Sequence, residues 1–276
     1  MRLLIAPTES AAGTILRPVI VLAAIFSVLF GLAFGSFLNV CISRLPQHES
    51  IVRPASRCPA CEHSIRSWDN IPIVSWLLLR GRCRDCGLAI SWRYPLIEFA
   101  MAALFLLSYL KFDLTLEAVG MVVLIFLLLG LAVMDAETML LPDAFTLPGI
   151  VLGIGYHFLR RGWRAAVWSL AFAVCAASLI LLIRGLYWLV RRKEGMGLGD
   201  AKLLAMIAAW LGPWQSLLVL FLGVMGAAIF GISWIAYRRE SGRTFALPFG
   251  SFLSAAAIYV IFHGEPILKW YFHFFN

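Results

Sequence analysis

Long apolar stretches without a single charged residue constrain the fold of this chain more than any other feature. Most are close to the roughly 20 residues that a helix needs to cross a bilayer. Hydrophobic residues make up 62% of the chain and charged residues only 14%, which is more apolar surface than a soluble domain of this size can bury. We therefore predict an all-α polytopic membrane protein. The uncharged stretches are residues 18–43, 118–134, 144–159, 165–183, 203–237 and 244–264.

These stretches predict about eight transmembrane helices. The stretch 203–237 is too long for one helix, and Pro213 divides it because proline lacks a backbone donor and ends the preceding helix. The first stretch is longer than a signal-peptide core and has no cleavage region, so we expect it to be a retained span. The predicted spans lie near residues 18–43, 95–110, 118–134, 144–159, 165–190, 201–211, 214–237 and 246–263.

The positions of the basic residues predict the orientation of the chain. Arginines are concentrated in the loop between the first two spans, and cytoplasmic loops of membrane proteins carry an excess of positive charge. We therefore predict a cytoplasmic loop and an external amino terminus, although the basic cluster at 160–164 then faces outward. The basic residues form no single soluble patch, so nucleic acid is not a predicted partner. The predicted units are a first transmembrane helix (1–43), a cytoplasmic loop domain (44–94) and a helical domain (95–276).

Two C-x2-C pairs lie in this loop, separated by 21 residues. Each pair predicts a tight knuckle, and two knuckles complete the closed tetrahedral sulfur site that structural zinc prefers. The alternative is two disulfides, which the predicted reducing side of the membrane disfavours. Zinc would also stabilise a loop that is too small to hold its shape alone. The predicted zinc ligands are Cys58, Cys61, Cys83 and Cys86.

Two aspartates occupy predicted membrane boundaries. Asp135 follows 17 uncharged residues, and Asp200 lies after Gly197-Leu-Gly199 and directly before an apolar helix. Two spans separate these segments, and an even number of spans returns a chain to the side that it left. Acidic residues at membrane depth are costly and usually face an interior or a wet cavity. We therefore predict that Asp135 and Asp200 meet at the cytoplasmic boundary.

Two neighbouring carboxyl groups share a proton, because they cannot both ionise easily. Such a pair can deprotonate water and protonate a carbonyl oxygen, which is the chemistry of aspartic proteases. The glycines before Asp200 would let a substrate chain approach closely. Each aspartate alone could instead be a capping or solvated group, and the glycines are weak evidence for nucleotide binding without a βαβ unit. The side chains left without an assigned role are Glu98, Glu137, Asp143 and Arg184.

Several motifs along nearly the whole chain resemble those of the bacterial prepilin leader peptidases, the membrane aspartic peptidases of type IV pilus and type II secretion systems. They are more specific together than any one of them alone. They are Gly35-Ser-Phe-Leu-Asn39-Val, the tetracysteine loop with Asn70-Ile-Pro-Ile and Arg80-Gly-Arg-Cys83, Ile90-Ser-Trp-Arg-Tyr94-Pro-Leu-Ile-Glu98, Asp135 with Leu141-Pro-Asp143, Gly197-Leu-Gly199-Asp200-Ala-Lys202-Leu, and Leu247-Pro-Phe249-Gly-Ser-Phe252-Leu.

This resemblance implies that Asp135 and Asp200 match the catalytic pair and that the four cysteines match the zinc loop. It implies cleavage of the short, basic leader of prepilins or pseudopilins after a glycine, at the cytoplasmic face of the bacterial inner membrane. It also implies methylation of the new amino terminus with S-adenosylmethionine, for which no binding residues are predicted. The sequence predicts no oligomeric state.

Two other classes of protein remain open at this stage. A proton-coupled transporter would use intramembrane acids as a relay, with half-helices that meet at the midplane. A noncatalytic assembly scaffold would depend on the zinc loop and not on the aspartates. Both aspartates are predicted at span ends on one side of the membrane, which disfavours a path across it.

Overall fold

The computed structural model describes residues 11–192, 197–238 and 247–274. Over these residues the chain is built from α-helices and short turns, with two isolated β-bridges in the loop. The predicted all-α class is confirmed. The helices are α1 (Ala11–Arg44), α2 (Val74–Leu78), α3 (Arg93–Phe112), α4 (Leu116–Thr138), α5 (Asp143–Arg161), α6 (Trp163–Arg191), α7 (Leu198–Leu211), α8 (Pro213–Arg238) and α9 (Phe249–Phe274).

The long helices follow the predicted order, but not all of them have the properties of a membrane span. Among the described residues, six helices are long and apolar enough to cross a membrane, and these are α1, α3, α4, α6, α8 and α9. The helix α7 has 14 residues and is therefore about 21 Å long, well short of the bilayer's hydrocarbon core. The helix α5 has charged residues at both ends and Pro148 inside. Length and composition therefore support six candidate spans among the described residues, and the predicted count of eight is not confirmed.

The boundaries of the last three helices partly match the prediction. The helical conformation is interrupted at Gly212, which has a positive φ of 80°, so α7 ends before Pro213 as predicted. The helix α9 continues to Phe274, well beyond the predicted end near residue 263. Pro266 lies inside it and cannot donate to the carbonyl of Phe262, but the Lys111 ammonium donates to that carbonyl instead. This contact from α3 explains why the helix passes the proline.

The core of the bundle lies around α4 and α7. The α4 side chains of Leu124, Leu128 and Leu131 are fully buried. Nearly every side chain of α7 is buried, as expected of a helix that is apolar all round and surrounded by other helices. Gly153 on α5 makes close packing possible, because an added Cβ there would lie 2.7 Å from the Trp210 ring. The short helix α7 is thus a fixed core element that carries Asp200 in its first turn.

Candidate active site and metal centre

Asp135 lies in the last turn of α4, where the amino end of α9 meets it. The side chain is 5% exposed. Its Oδ2 accepts a hydrogen bond of 2.7 Å from the Ser251 backbone N–H and lies 3.1 Å from the Ser251 hydroxyl, which also donates to the Ala132 carbonyl at 2.7 Å. The first N–H groups of a helix have no partner within the helix, and its dipole favours negative charge there. The beginning of α9 therefore holds the Asp135 carboxylate in one orientation.

Asp200 is held in a similar way by the beginning of its own helix. It lies in the first turn of α7 and is 8% exposed. Its Oδ2 accepts a hydrogen bond of 3.2 Å from the Gly197 N–H, in the manner of the acidic partner in a capping box. The Leu141 side chain lies against Gly199, the neighbour of Asp200, and against Gly250, which packs on the Asp135 carboxyl group, so the segments that carry the two carboxyl groups adjoin each other. The structure thus brings the two predicted residues together at one end of the bundle.

The side chain of Leu141 fills the space between the segments that carry the two aspartates. An added Cβ at Gly199, the neighbour of Asp200, would lie 3.0 Å from Leu141 Cβ. An added Cβ at Gly250 would lie 2.9 Å from Leu141 Cδ1 and 3.1 Å from the carboxyl carbon of Asp135. Neither position has room for a side chain, so both residues must be glycine. One leucine thus fixes the separation of α7 and α9 at the site.

Each aspartate is followed, two residues later, by an ion pair to another helix. Glu137 accepts a hydrogen bond of 2.6 Å from Arg93, whose guanidinium also donates to the Ser43 hydroxyl at 2.8 Å. Lys202 lies 2.6 Å from Asp143 at the beginning of α5. These pairs join α4 to α3 and α7 to α5. Glu137 and Asp143, which had no assigned role, therefore hold the helix ends that surround the site.

Glu98 connects the loop to the bundle. It is 7% exposed, and its Oε2 accepts a hydrogen bond of 2.7 Å from the backbone N–H of Ile73. The loop segment before α2 is thus fixed against α3. Arg184 lies on α6 in a surface recess with Leu181 and Trp188 and receives no role.

The four cysteine sulfurs of the loop converge as predicted. They all lie within 4.8 Å of one another, and Cys58 Sγ is 3.7 Å from Cys86 Sγ. Four thiolates about 2.3 Å from a tetrahedral zinc ion would be about 3.8 Å apart. The donor set and the spacing therefore fit a structural zinc ion.

The two knuckles have the same backbone pattern. The Cys58 N–H donates to the His63 carbonyl at 3.0 Å, and the Cys83 N–H donates to the Leu88 carbonyl at 2.8 Å. Each knuckle turns at a residue with positive φ, Glu62 in the first and Gly87 in the second. His63 thus contributes its backbone carbonyl to the first knuckle. This structural repeat is invisible in the sequence apart from the cysteine spacing.

Backbone donors also prepare the sulfur cluster for a cation. The N–H groups of Cys61 and Ala60 lower the pKa of the Cys58 thiol to about 6. At neutral pH this sulfur is mostly thiolate, which is the form that binds metal. The pKa values of the Cys61 and Cys86 thiols are raised in the same cluster, so a bound cation would be needed to hold all four sulfurs as thiolates.

A bidentate ion pair fastens the second knuckle to the rest of the loop. Arg84 donates to the two Asp69 oxygens at 2.8 and 2.6 Å, and this hydrogen bonding lowers the pKa of the Asp69 carboxyl. Because the pKa is lower in the folded state, the stabilisation is present above the ordinary carboxyl pKa of about 3.9 and is lost as pH falls through the lowered value.

Sequence reasoning missed Ser251, Gly250 and Leu141 as parts of the site. The motif Leu247-Pro-Phe249-Gly-Ser was noted without a role for any of its residues. The motif contains a proline just before an apolar stretch, and this pattern indicates the beginning of a helix, where the first N–H groups are free. Nothing in the sequence indicates that these N–H groups reach Asp135. The basic residues Arg2, Lys193, Arg239 and Arg243, which also bear on the predicted orientation, and Gly195, which precedes the Gly197-Leu-Gly199 segment, lie outside the described residues.

Comparisons with known proteins agree on one family. Residues 29–112 match the family model described as the bacterial peptidase A24 N-terminal domain, and residues 122–232 match that of the type IV leader peptidase family. A prepilin leader peptidase/N-methyltransferase of Pseudomonas putida is 38% identical over 269 residues, 87% of this chain and 91% of the relative.

Two further relatives carry the same name. That of Myxococcus xanthus is 41% identical over 225 residues, 81% of this chain and 67% of the relative. That of Pseudomonas aeruginosa is 38% identical over 274 residues, 90% of this chain and 93% of the relative. No solved structure matches the chain.

The fold and the site define a multi-pass membrane protein with two buried carboxyl groups at one end and a tetracysteine loop beside them. Relatives this similar over most of both chains show the family. The chain belongs to the type IV leader peptidase family, and the resemblance found in its motifs is confirmed.

Proposed function

We propose that the chain removes the leader peptide from prepilins or pseudopilins, with Asp135 and Asp200 as the catalytic pair. The observation that carries this proposal is the convergence of two buried carboxyl groups that lie far apart in the sequence. Each accepts a hydrogen bond from a backbone N–H at a helix beginning, and Leu141 packs against the segments of both. A family of leader peptidases and relatives named for that activity supply the substrate class.

The geometry suggests how the two carboxyl groups divide the chemistry. With one proton between them, the ionised carboxylate takes a proton from water, and the water oxygen attacks the scissile carbonyl carbon. The protonated carboxyl gives its proton to the carbonyl oxygen. When the tetrahedral intermediate collapses, the C–N bond breaks, the protonated carboxyl gives its proton to the leaving amine, and a hydroxyl of the intermediate returns its proton to the other carboxylate, so the pair is again singly protonated. Asp135 accepts more hydrogen bonds, so we assign it the ionised role at the start.

The position of the site suits a substrate that stays in the bilayer. Both aspartates lie at helix ends, so a cleavable segment just outside an apolar helix could reach them while that helix remains in lipid. We propose that this end of the bundle faces the cytoplasm of a bacterium with the protein in its inner membrane. The arginine-rich loop on the same end favours that orientation.

We further propose that residues 44–94 form a unit stabilised by zinc, held by Cys58, Cys61, Cys83 and Cys86. The ion would fix the two knuckles relative to each other, and its closed sulfur shell would leave no position for substrate. The relatives are named N-methyltransferases as well, so the chain is proposed to methylate the new amino terminus, with S-adenosylmethionine as the source of the methyl group. No residue is assigned to that cofactor.

The transporter and scaffold alternatives are not favoured. Both acids lie at one end of the bundle, whereas a relay needs groups distributed across the membrane. A scaffold would not need two buried carboxyl groups held by helix beginnings. Membership in a peptidase family argues against both.

The test is the conversion of a coexpressed prepilin by the Asp135→Asn and Asp200→Asn variants, followed by gel shift. Asparagine keeps the shape but cannot exchange a proton, so we expect a loss of about 10²- to 10⁴-fold in processing rate. Zinc content and helical content should not change. Processing by either variant at a rate near that of the parent protein would refute the assignment.

Asp113→Asn is the matched control. Asp113 is an exposed aspartate in the turn between α3 and α4, where its carboxylate accepts a hydrogen bond from the Leu114 N–H. This change removes the same charge elsewhere, so processing should continue. Loss of processing in this variant as well would show that the assay responds to charge or folding and not to the catalytic pair.

A further inference from the structure

The short helix α2 in the loop buries a polar side chain and exposes apolar ones, the reverse of a helix that faces water. Ser75 is buried at 6% exposure, and its hydroxyl donates to the Trp68 carbonyl at 2.9 Å and accepts from the Ile71 N–H at 3.0 Å. The apolar side chains of Leu77 and Leu78 are 62% and 78% exposed. A water-facing helix buries its leucines and exposes its serines. The outer face of α2 is therefore built for an apolar surrounding.

The loop places this face at the depth of the membrane surface. The Ile73 N–H, directly before α2, donates to Glu98, which lies in the second turn of the candidate span Arg93–Phe112. Five residues at 1.5 Å each put Glu98 about 7.5 Å along the span from its first residue. The segment that carries Leu77 and Leu78 is thus tied to a level inside the end of α3.

Tryptophans fix α2 in this position. The Trp76 indole N–H donates to the Ile90 carbonyl at 3.2 Å, and its ring centroid lies 4.4 Å from that of Trp92. Trp92, just before α3, is itself 73% exposed. Tryptophan is enriched where membrane meets water, because its ring is apolar and its N–H is polar. The exposed apolar face is therefore held rigidly beside the span.

Two arginines follow α2 on the same segment. Arg80 and Arg82 are exposed, and neither forms an ion pair with any residue that the structure describes. Basic side chains next to an apolar interfacial face attract anionic lipid headgroups. Their charge thus complements a lipid phosphate.

We propose that α2 is an interfacial membrane anchor. The side chains of Leu77, Leu78 and Trp92 enter the leaflet on the side of the two aspartates, while Arg80 and Arg82 bind the phosphate groups of anionic lipids. The hydrogen bond from the Ile73 N–H to Glu98 holds the segment before α2 against the amino-terminal end of α3 in this arrangement. The anchor holds the tetracysteine loop against the membrane surface. This proposal does not depend on the identity of the substrate.

The experiment uses the full-length protein in lipid nanodiscs, with the photocrosslinker p-benzoylphenylalanine placed at residue Leu78. The control position is Val52, which is equally exposed at 78% but follows the end of α1 in a segment held by Arg44 hydrogen bonds to Ser50 and Pro54. After illumination, mass spectrometry identifies lipid adducts on each variant. We expect at least about fivefold more lipid adduct at residue 78 than at residue 52.

A second variant tests the basic residues without altering the apolar face. Arg80→Gln combined with Arg82→Gln should abolish the preference for anionic over zwitterionic lipid in adducts formed at residue 78. Equal lipid adducts at residues 78 and 52, or crosslinks from residue 78 to a copurified protein in place of lipid, would overturn the proposal. A preference for anionic lipid that persists in the double variant would overturn the role of the two arginines.

Discussion

The paired aspartates and the tetracysteine loop are both small polar sites, but they are assembled in opposite ways. The loop brings together residues 58 to 86 through local turns that repeat the same backbone bonds. The aspartates are 65 residues apart in sequence and meet only because α4, α7 and α9 pack together. The first site is fixed by chain geometry, and the second is fixed by helix packing.

This difference determines which kind of substitution disrupts each site. The loop has little apolar core, so its order depends on what the four sulfurs bind. The aspartate site depends on close contacts such as Gly250 with Leu141, and its supports are distributed over several helices. A local change should therefore destroy the first site completely and weaken the second by degrees.

The largest expected effect is in the loop. Cys58→Ser or Cys86→Ser should remove bound zinc, because a hydroxyl is a poor substitute for a thiolate, and the loss of coordination is worth on the order of 10 kcal/mol. Zinc content by mass spectrometry and amide hydrogen exchange of residues 56–90 are the measurements. Exchange should increase in the loop, while residues of α4 and α7 keep their protection.

Cys175→Ser is the control for this change. Cys175 is an exposed cysteine of the candidate span α6, far along the chain from the knuckles. Its replacement should leave zinc content and exchange unchanged. If the cysteine variants of the loop also opened α4 and α7, the two sites would not be independent and the comparison would fail.

The sequence was sufficient for the features that depend on composition and spacing. The apolar stretches predicted the long helices in order, the break at Gly212 follows from the proline after it, and the sulfur cluster follows from the cysteine spacing. These are properties of local physics. The prediction that Asp135 and Asp200 share one end counted α5 and α6 as two spans, and both helices do lie between the aspartates, although α5 is not among the six candidate spans.

The remaining features depend on packing between distant segments. Hydropathy treats α7 as one more span, but its 14 residues make it a buried core helix. The end of α9 was placed too early because Pro266 and Glu265 interrupt the apolar stretch, and the stabilising Lys111 comes from another helix. The contact of Ser251 with Asp135 likewise joins residues 116 positions apart.

A second prediction tests whether the aspartate site is indeed fixed by packing. In Gly250→Ala the new methyl group would lie 2.9 Å from Leu141 and 3.1 Å from the Asp135 carboxyl carbon, so the beginning of α9 must move. We expect a loss of about 1–3 kcal/mol in stability from overpacking. A displacement of about 1 Å should lower processing by about a hundredfold.

The control is Gly155→Ala, because an added Cβ there meets nothing within 4 Å and the position lies inside α5. That change should stabilise the helix by up to about 1 kcal/mol. Prepilin processing and thermal unfolding are measured for both variants. Normal processing by Gly250→Ala would mean that the beginning of α9 does not support Asp135.

A third prediction removes one support of Asp135 and leaves the others. Ser251→Ala deletes the hydroxyl that contacts Asp135 and Ala132 but keeps the backbone N–H that donates at 2.7 Å. One hydrogen bond is worth about 1 kcal/mol, so processing should fall by about fivefold. Ser27→Ala is the control, because the Ser27 hydroxyl bonds only to a carbonyl of its own helix, α1. A fall as large as that of Asp135→Asn would make the hydroxyl part of the chemistry.

The smallest effect is expected from the ion pair beside Asp200. Lys202 and Asp143 are 2.6 Å apart, but their side chains are 36% and 55% exposed, so solvent screens their attraction. Pairs of this kind contribute about 1 kcal/mol or less. Lys202→Gln and Asp143→Asn should each reduce processing by less than about fivefold, and the double variant should be no worse than either single variant. A larger loss in the Asp143→Asn variant alone, which the double variant did not share, would show that an unpaired Lys202 disturbs Asp200. The aspartate site would then rest on one local contact, as the loop does, and not on supports distributed over several helices.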